Sequence, residues 1–273
     1  MRPPVDVWLI DLSVSESQLD QAACLLDREE TARAARLQSP ALHRRFVASH
    51  AALRQILART LSRTRAHSHA AGLAHAPGVA GAPGVARTHR CTDRGDAPRP
   101  EHLQFVREPG GRPALANAPA PLHFSLSHAG DLALVATCVH GPLGIDVEGT
   151  PIPPALHHDL QPHLALAERQ ALARRPAGRR DRGACRAWVR KEALLKAVGC
   201  GLSGELSRLV VGCDGPVRLL HAGWPGLESA HWFLTSLEQP TQWIGALAIR
   251  GPARPVRLRR WHWPAADRPN DRP

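Results

Sequence analysis

Apolar and polar residues alternate from Val5 to Leu12, with Val5, Val7 and Leu9 on one side and Asp6, Trp8 and Ile10 on the other. Both sides are largely apolar, which predicts a strand buried on two faces. From residue 16 the period lengthens. Leu19, Ala22, Ala23 and Leu26, then Ala34 and Leu37, recur at helical spacing with Arg33 and Arg36 in the last turns, and Pro40 breaks the run. Leu42, Phe46, Leu53, Ile56, Leu57 and Leu61 form a second helical stripe over 42–61. Arg45 and Arg54 leave that stripe on opposite flanks, so they do not readily hold one anion together, and at least one is expected to be structural.

Periodicity is lost between 62 and 100, where Ala76-Pro-Gly-Val-Ala80 is nearly duplicated at Ala82-Pro-Gly-Val-Ala86 and His67, His69, His75 and His89 are scattered. Such a segment cannot bury enough apolar surface to order itself, and it reads as a solvated linker. Order resumes with a short strand at His102–Arg107 and a turn at Glu108-Pro-Gly-Gly-Arg-Pro113. Three strands with tight turns follow at 123–128, 132–139 and 143–148, which predicts a meander.

In the third of these strands Ile145 and Val147 point to one face, and Asp146 and Glu148 to the other. Two carboxylates side by side repel unless a positive charge lies between them. They mark either a solvated edge strand or the seat of a hard divalent cation. Pro151, Pro153 and Pro154 end the strand, and Leu160, Leu164, Leu166 and Leu172 predict helix within 156–174, with His157, His158 and His163 as surface residues.

The next helix, over 184–198, carries an apolar arc of Ala187, Trp188, Leu194, Leu195 and Val198, and stops at Gly199 and Gly201. Arg190, Ala193 and Ala197 are expected to face away. Glu192 and Lys196, four residues apart, are neighbours at the edge of the arc. Lys191 lies inside it, where an unpaired ammonium is costly, so it must snorkel or meet a carboxylate. Charge in a buried arc breaks the patterning rule, as functional sites do. Short strands near 206–211, 217–220, 231–237 and 243–249 complete the core, and the Arg- and Pro-rich residues from Gly251 onward, with Trp261 and Trp263, read as a poorly ordered tail.

Composition narrows the classes. With 273 residues, 43% of them hydrophobic, the chain can bury a full core. No apolar run approaches the roughly 18 residues of a membrane span, and the N-terminus lacks a signal-peptide core, so a cytoplasmic protein with no membrane partner is expected. Six cysteines without ligand spacing suit reduced thiols rather than disulfides or structural zinc. The net charge of +11 raises nucleic acid as a partner. However, residues 62–100 hold six Arg against two Asp and residues 250–273 seven Arg against two Asp, so most of the excess lies outside the predicted core. No nucleic-acid partner is expected.

Three motifs stand in a definite order: Phe124-Ser-Leu-Ser-His128, Gly144-Ile-Asp-Val-Glu148 and Trp188-x-x-Lys-Glu-Ala-x-x-Lys-x-x-Gly-x-Gly-Leu202. Together they resemble the 4'-phosphopantetheinyl transferase superfamily in its two-lobed Sfp-like branch, over about residues 5–60 and 101–250. The resemblance implies an α/β (α+β) fold of two similar lobes related by a pseudo-twofold, with coenzyme A in the cleft between them. An N-terminal lobe is expected over 1–120 with 62–100 as an insertion, a C-terminal lobe with the metal site over 121–250, and a basic tail over 251–273. Residue by residue, Asp146, Glu148 and Glu192 match the family's Mg2+ ligands, and Lys196 the lysine at the diphosphate. Ser127 and His128 match the strand end at the coenzyme, where Arg33 and Arg45 also fall at the 3'-phosphate. Gly111-Arg-Pro113 resembles a Gly-Lys-Pro turn near the phosphates, placing Arg112 there. Glu30 departs from the pattern, standing where the family has a basic residue at the 3'-phosphate.

The implied reaction is Mg2+-dependent transfer of 4'-phosphopantetheine from coenzyme A to a serine of an apo acyl or peptidyl carrier protein, releasing 3',5'-ADP. Glu192 and Lys196 would be the catalytic pair, in a monomer. The alternative is a relative that binds coenzyme A or the carrier without catalysis.

Overall fold

The computed structural model describes residues 2–70, 98–116, 118, 121–153, 159–199, 206–214, 221–222, 227 and 232–264. The duplicated 76–80 and 82–86 segments, His75, His89, His157, His158, Cys91, Cys200, Gly201 and the strand expected at 217–220 lie outside them.

Strand β1 (Val5–Asp11) is followed by helices α1 (Glu16–Ala23), α2 (Arg28–Ala35) and α3 (Pro40–Ala70). The helix expected over 16–37 is thus two helices. Asp27 opens the second by accepting from the Glu30 amide at 2.9 Å, while the Glu30 carboxylate accepts from the Asp27 amide at 3.2 Å. That reciprocal capping box satisfies two amides which a continuous helix would have bonded internally. The helix expected to stop at Leu61 continues to Ala70, so residues 62–70 are helix rather than linker.

Strands β2 (Phe105–Arg107) and β3 (Pro113–Leu115) form a small hairpin, and β4 (His123–Ala129) and β5 (Leu132–Cys138) a longer one. Then come β6 (Leu143–Gly149), α4 (Leu166–Ala173), α5 (Ala177–Val198), the two-residue strands β7 (Leu209–Val210) and β8 (His221–Ala222), β9 (Trp232–Gln239), β10 (Trp243–Arg250) and β11 (Val256–Arg260).

The main sheets run β11-β1-β5-β4 and β6-β10-β9. β6 does not extend the meander: it leaves β4 and β5 and pairs antiparallel with β10, Ile145 opposite Leu247. Strands β4 and β5 meanwhile share a sheet with β1, so the boundary placed near 120 does not follow the hydrogen bonding. Nor is the C-terminal stretch a loose tail as far as Pro264. β11 adds parallel to β1, Val5 opposite Val256, and Trp261 is buried against Trp8 with ring centroids 6.0 Å apart. Arg259, one of the basic residues that suggested solvation, reaches Asp6 at 3.0 Å, and Arg59 of α3 stacks on Trp261 at 4.4 Å, so both hold the strand in place.

Three apolar clusters follow from this layering. Trp8 and Ile10 of β1 meet Ile56, Leu57 and Leu61 of α3. Val5 and Val7, on the other face of β1, meet Leu134, Ile145, Val147 and Leu247 between the two sheets. Leu194 of α5 packs with Ile244 and Ala246 of β10 and with Leu160, Leu164 and Leu172. β1 is therefore buried on both faces, as its sequence predicts. The face of α5 thought to point outward is also covered. Arg190, Ala193 and Ala197 are buried, with the Arg190 Nη1 donating to the Gly212 carbonyl at 2.7 Å and Nη2 to the Ser236 hydroxyl at 2.9 Å.

Candidate active site

The site is built where β6 lies against α5, and a glycine permits the approach. A Cβ on Gly144 would stand 2.1 Å from the Ala193 carbonyl oxygen and 2.5 Å from the Ala197 nitrogen, inside van der Waals contact with helix backbone. With no side chain there, Asp146 and Glu148 come to the Glu192 and Lys196 edge of α5. The Lys196 Nζ donates to Asp146 Oδ1 at 2.6 Å, and the Trp188 indole donates to Glu148 Oε1 at 3.3 Å. Trp188 is one turn before Glu192 on the same helix face, and His163 lies against its ring with centroids 5.3 Å apart.

Three carboxylates and one ammonium in a largely buried place perturb one another. Burial, then the charge of Asp146, pushes Glu192 up to about 7, with Lys196 opposing and Glu148 adding. Glu148 is raised by burial and by Asp146. Among the described residues no three His, Cys, Asp or Glu side chains are grouped so as to hold a metal ion. The expected ligands are gathered as a charge cluster, not as a closed coordination shell, since Lys196 occupies Oδ1 of Asp146 and Trp188 engages Glu148. Even so, Asp146 Oδ2 and Glu192 Oε1 are both buried without a hydrogen-bond partner. Buried acceptors left unsatisfied next to further carboxylates fit a hard cation in kind and in spare lone pairs.

Lys191, which had no nameable partner in the sequence, is fully buried. It pairs with Glu168 at 2.6 Å and donates to the carbonyls of His163 at 2.8 Å and Leu206 at 3.0 Å. Glu168 also accepts from the amides of Ala165 and Val211, at 2.9 and 3.0 Å. This charge is thus neutralised within the fold and sets the rotation of α5, so that the next residue, Glu192, turns to β6.

The expected anion-binding residues are distributed unevenly. His128, on an exposed position at the end of β4, is held below its ordinary value by partial burial and by the positive charges of Lys196, His50 and Arg45. Arg45 Nε donates to Asp131 at 2.8 Å, and Arg33 lies over the Phe46 ring at 5.3 Å. Arg54, the other flank of α3, is wholly buried and structural: it pairs with Glu30 at 2.6 Å and with Asp27. Glu30 also meets His50 at 2.8 Å. The residue that departs from the family pattern is turned inward, serving α3 rather than an anion. Arg112 is engaged as well: Nε donates to Glu108 at 2.9 Å and Nη1 to the Ala197 carbonyl at 2.8 Å, which ties the 108–112 turn to the C-terminal end of α5. Ser127 donates to Asp146 rather than standing open to a ligand.

A family model described as the 4'-phosphopantetheinyl transferase superfamily matches residues 142–247, the stretch from the turn before β6 into β10. HetI, a 4'-phosphopantetheinyl transferase of Nostoc sp. (strain PCC 7120), is 28% identical over 250 residues, covering 90% of this chain and 88% of the relative. The chain is therefore similar to the 4'-phosphopantetheinyl transferase superfamily over residues 142–247, and to a transferase of that name over most of its length. A 4'-phosphopantetheinyl transferase of Bacillus pumilus is 35% identical over 115 residues, 39% of this chain and 44% of the relative. The L-aminoadipate-semialdehyde dehydrogenase-phosphopantetheinyl transferase of Pongo abelii is 31% identical over 122 residues, 40% of this chain and 38% of the relative. The superfamily match contains Asp146, Glu148, Glu192 and Lys196, the four side chains that β6 and α5 bring together. The Nostoc relative extends the likeness well beyond that match.

Proposed function

We propose that this transferase moves the 4'-phosphopantetheine group of coenzyme A onto a serine of an acyl or peptidyl carrier protein. The observation that carries the reading is the partly buried cluster of Asp146, Glu148 and Glu192 with Lys196, assembled across one helix–strand contact within the stretch that matches this superfamily. Asp146, Glu148 and Glu192 would hold Mg2+, using the acceptors left over from their protein contacts. When bound, the ion supplies positive charge for the carboxylates and for the diphosphate oxygens.

The remaining chemistry belongs to the chain. The serine oxygen forms a bond to the phosphorus bearing pantetheine, and the diphosphate P–O bond breaks, releasing 3',5'-ADP. Glu192, on the α5 edge that faces Asp146 and Glu148, is the carboxylate that accepts the serine proton. Lys196, one turn further along α5, exchanges its contact with Asp146 for the leaving phosphate, whose growing charge it neutralises. Arg33, Arg45 and His128 present positive or hydrogen-bonding groups to the 3'-phosphate. Arg112 acts from the end of α5, fixing the helix that carries both catalytic groups.

Steady-state release of 3',5'-ADP, measured with coenzyme A, Mg2+ and an apo carrier domain, tests the assignment. Glu192→Gln is expected to lower turnover by at least ~100-fold, the lower end for loss of a positioned acid–base group. Near-normal turnover by that variant would remove Glu192 from the mechanism.

A further inference from the structure

Strands β4 and β6 run beside each other in the fold but belong to different sheets, so no backbone ladder joins them. Two serines bridge the seam. Ser125 Oγ accepts from the Ile145 amide at 3.1 Å, and Ser127 Oγ donates to Asp146 Oδ1 at 2.7 Å. Both serines and Asp146 are more than nine-tenths buried. Their spacing of two on β4 matches consecutive residues of β6, and they are the two serines of the Phe-Ser-Leu-Ser-His motif.

We infer that Ser127 is a positioning residue for Asp146, not a contact to coenzyme A. With Lys196 and Ser127 both donating to Oδ1, the carboxylate plane is fixed and Oδ2, which has no protein partner, is the oxygen left for a cation. The hydroxyl matters most when Lys196 leaves for the diphosphate, because Ser127 is then the remaining donor to Oδ1 among those described. Loss of such an outer hydrogen bond typically weakens metal binding by about 10–100-fold. This inference rests on the proposed metal role of Asp146.

The test measures Mn2+ binding to the full chain by electron paramagnetic resonance, in the presence of coenzyme A, and coenzyme A binding separately in EDTA. Ser127→Ala is expected to raise the Mn2+ dissociation constant by at least ~10-fold and to leave coenzyme A affinity in EDTA within about twofold. Ser127→Thr, which keeps the hydroxyl, is expected to restore Mn2+ binding, and it also stands in should the alanine variant fail to fold. In an Asp146→Asn background Ser127→Ala should have no further effect on Mn2+. Unchanged Mn2+ affinity with weakened coenzyme A binding would overturn the inference and return Ser127 to the coenzyme. Absence of Mn2+ binding by the unsubstituted protein would instead sink the metal reading beneath it.

Discussion

Glu192 shows what the site costs the fold. Its carboxyl is raised from an ordinary value of 4.5 to about 7 by burial and by Asp146. A carboxyl raised on folding contributes stability while protonated, fully so below its unfolded value, and that contribution is lost as pH rises through the folded value. In EDTA, Glu192→Gln should therefore melt higher than the parent above pH 7, with the difference shrinking towards pH 5. A variant less stable than its parent at pH 8 would contradict the placement of Glu192 in an acidic, desolvated cluster. At this scale the sequence was partly legible. Glu192 and Lys196 were visible as charge at the rim of an apolar arc, and Lys191 as a charge within it. Glu168 was not, because it lies on a different helix, and only tertiary packing brings it to Lys191 at 2.6 Å. Ser127 was legible as a motif residue but not as the donor to Asp146, since nothing in the pattern says that β4 borders β6 without pairing with it.

The decisive contact between elements is β6 against α5, and Gly144 sets its distance. Gly144→Ala would drive a methyl group into helix backbone that lies 2.1 Å from the position of the new carbon. Overpacking of this kind costs about 1–3 kcal/mol or more, and here relief requires moving α5 away from Asp146. The variant should melt lower and should lose turnover beyond what its stability loss explains, seen by comparing folded fraction with rate at one temperature. Unaltered activity at full folding would mean that the strand and helix need not be so close. Periodicity located both elements. It misjudged the environment of α5, because a stripe identifies the most apolar face and says nothing about a second layer that covers Arg190 and satisfies it through Gly212 and Ser236. It also ran α1 and α2 together, where an apolar rhythm persists across the Asp27 cap.

For the whole molecule, the C-terminal strand closes the N-terminal sheet. β11 pairs with β1, and Trp261 fills the space between Trp8 and Arg59. Trp261→Ala should cost about 3–5 kcal/mol, the range for truncating a buried aromatic, measured by denaturant unfolding. Ending the chain at Arg250 should be worse, since it also uncovers the edge of β1. A stable, soluble shortened protein would restore the reading of this stretch as a tail. Arg- and Pro-rich composition concealed the strand, because Arg259 is spent on Asp6 and on the Trp8 ring while Arg257 and Arg260 keep the exposed character that suggested solvent. The two-sheet arrangement was likewise hidden: the tight turn after β5 suggested a third meander strand, whereas β6 finds a better partner in β10, about a hundred residues later.

These scales converge on one claim, that the β6–α5 cluster transfers phosphopantetheine to a carrier protein rather than only binding coenzyme A. Intact-mass spectrometry of an apo carrier protein incubated with this chain, coenzyme A and Mg2+ tests it most directly. The account predicts that the carrier gains the mass of one phosphopantetheine group, and that the gain is lost in EDTA and with Glu192→Gln. A folded, coenzyme A-binding protein that leaves the mass of apo acyl and peptidyl carriers unchanged would contradict it.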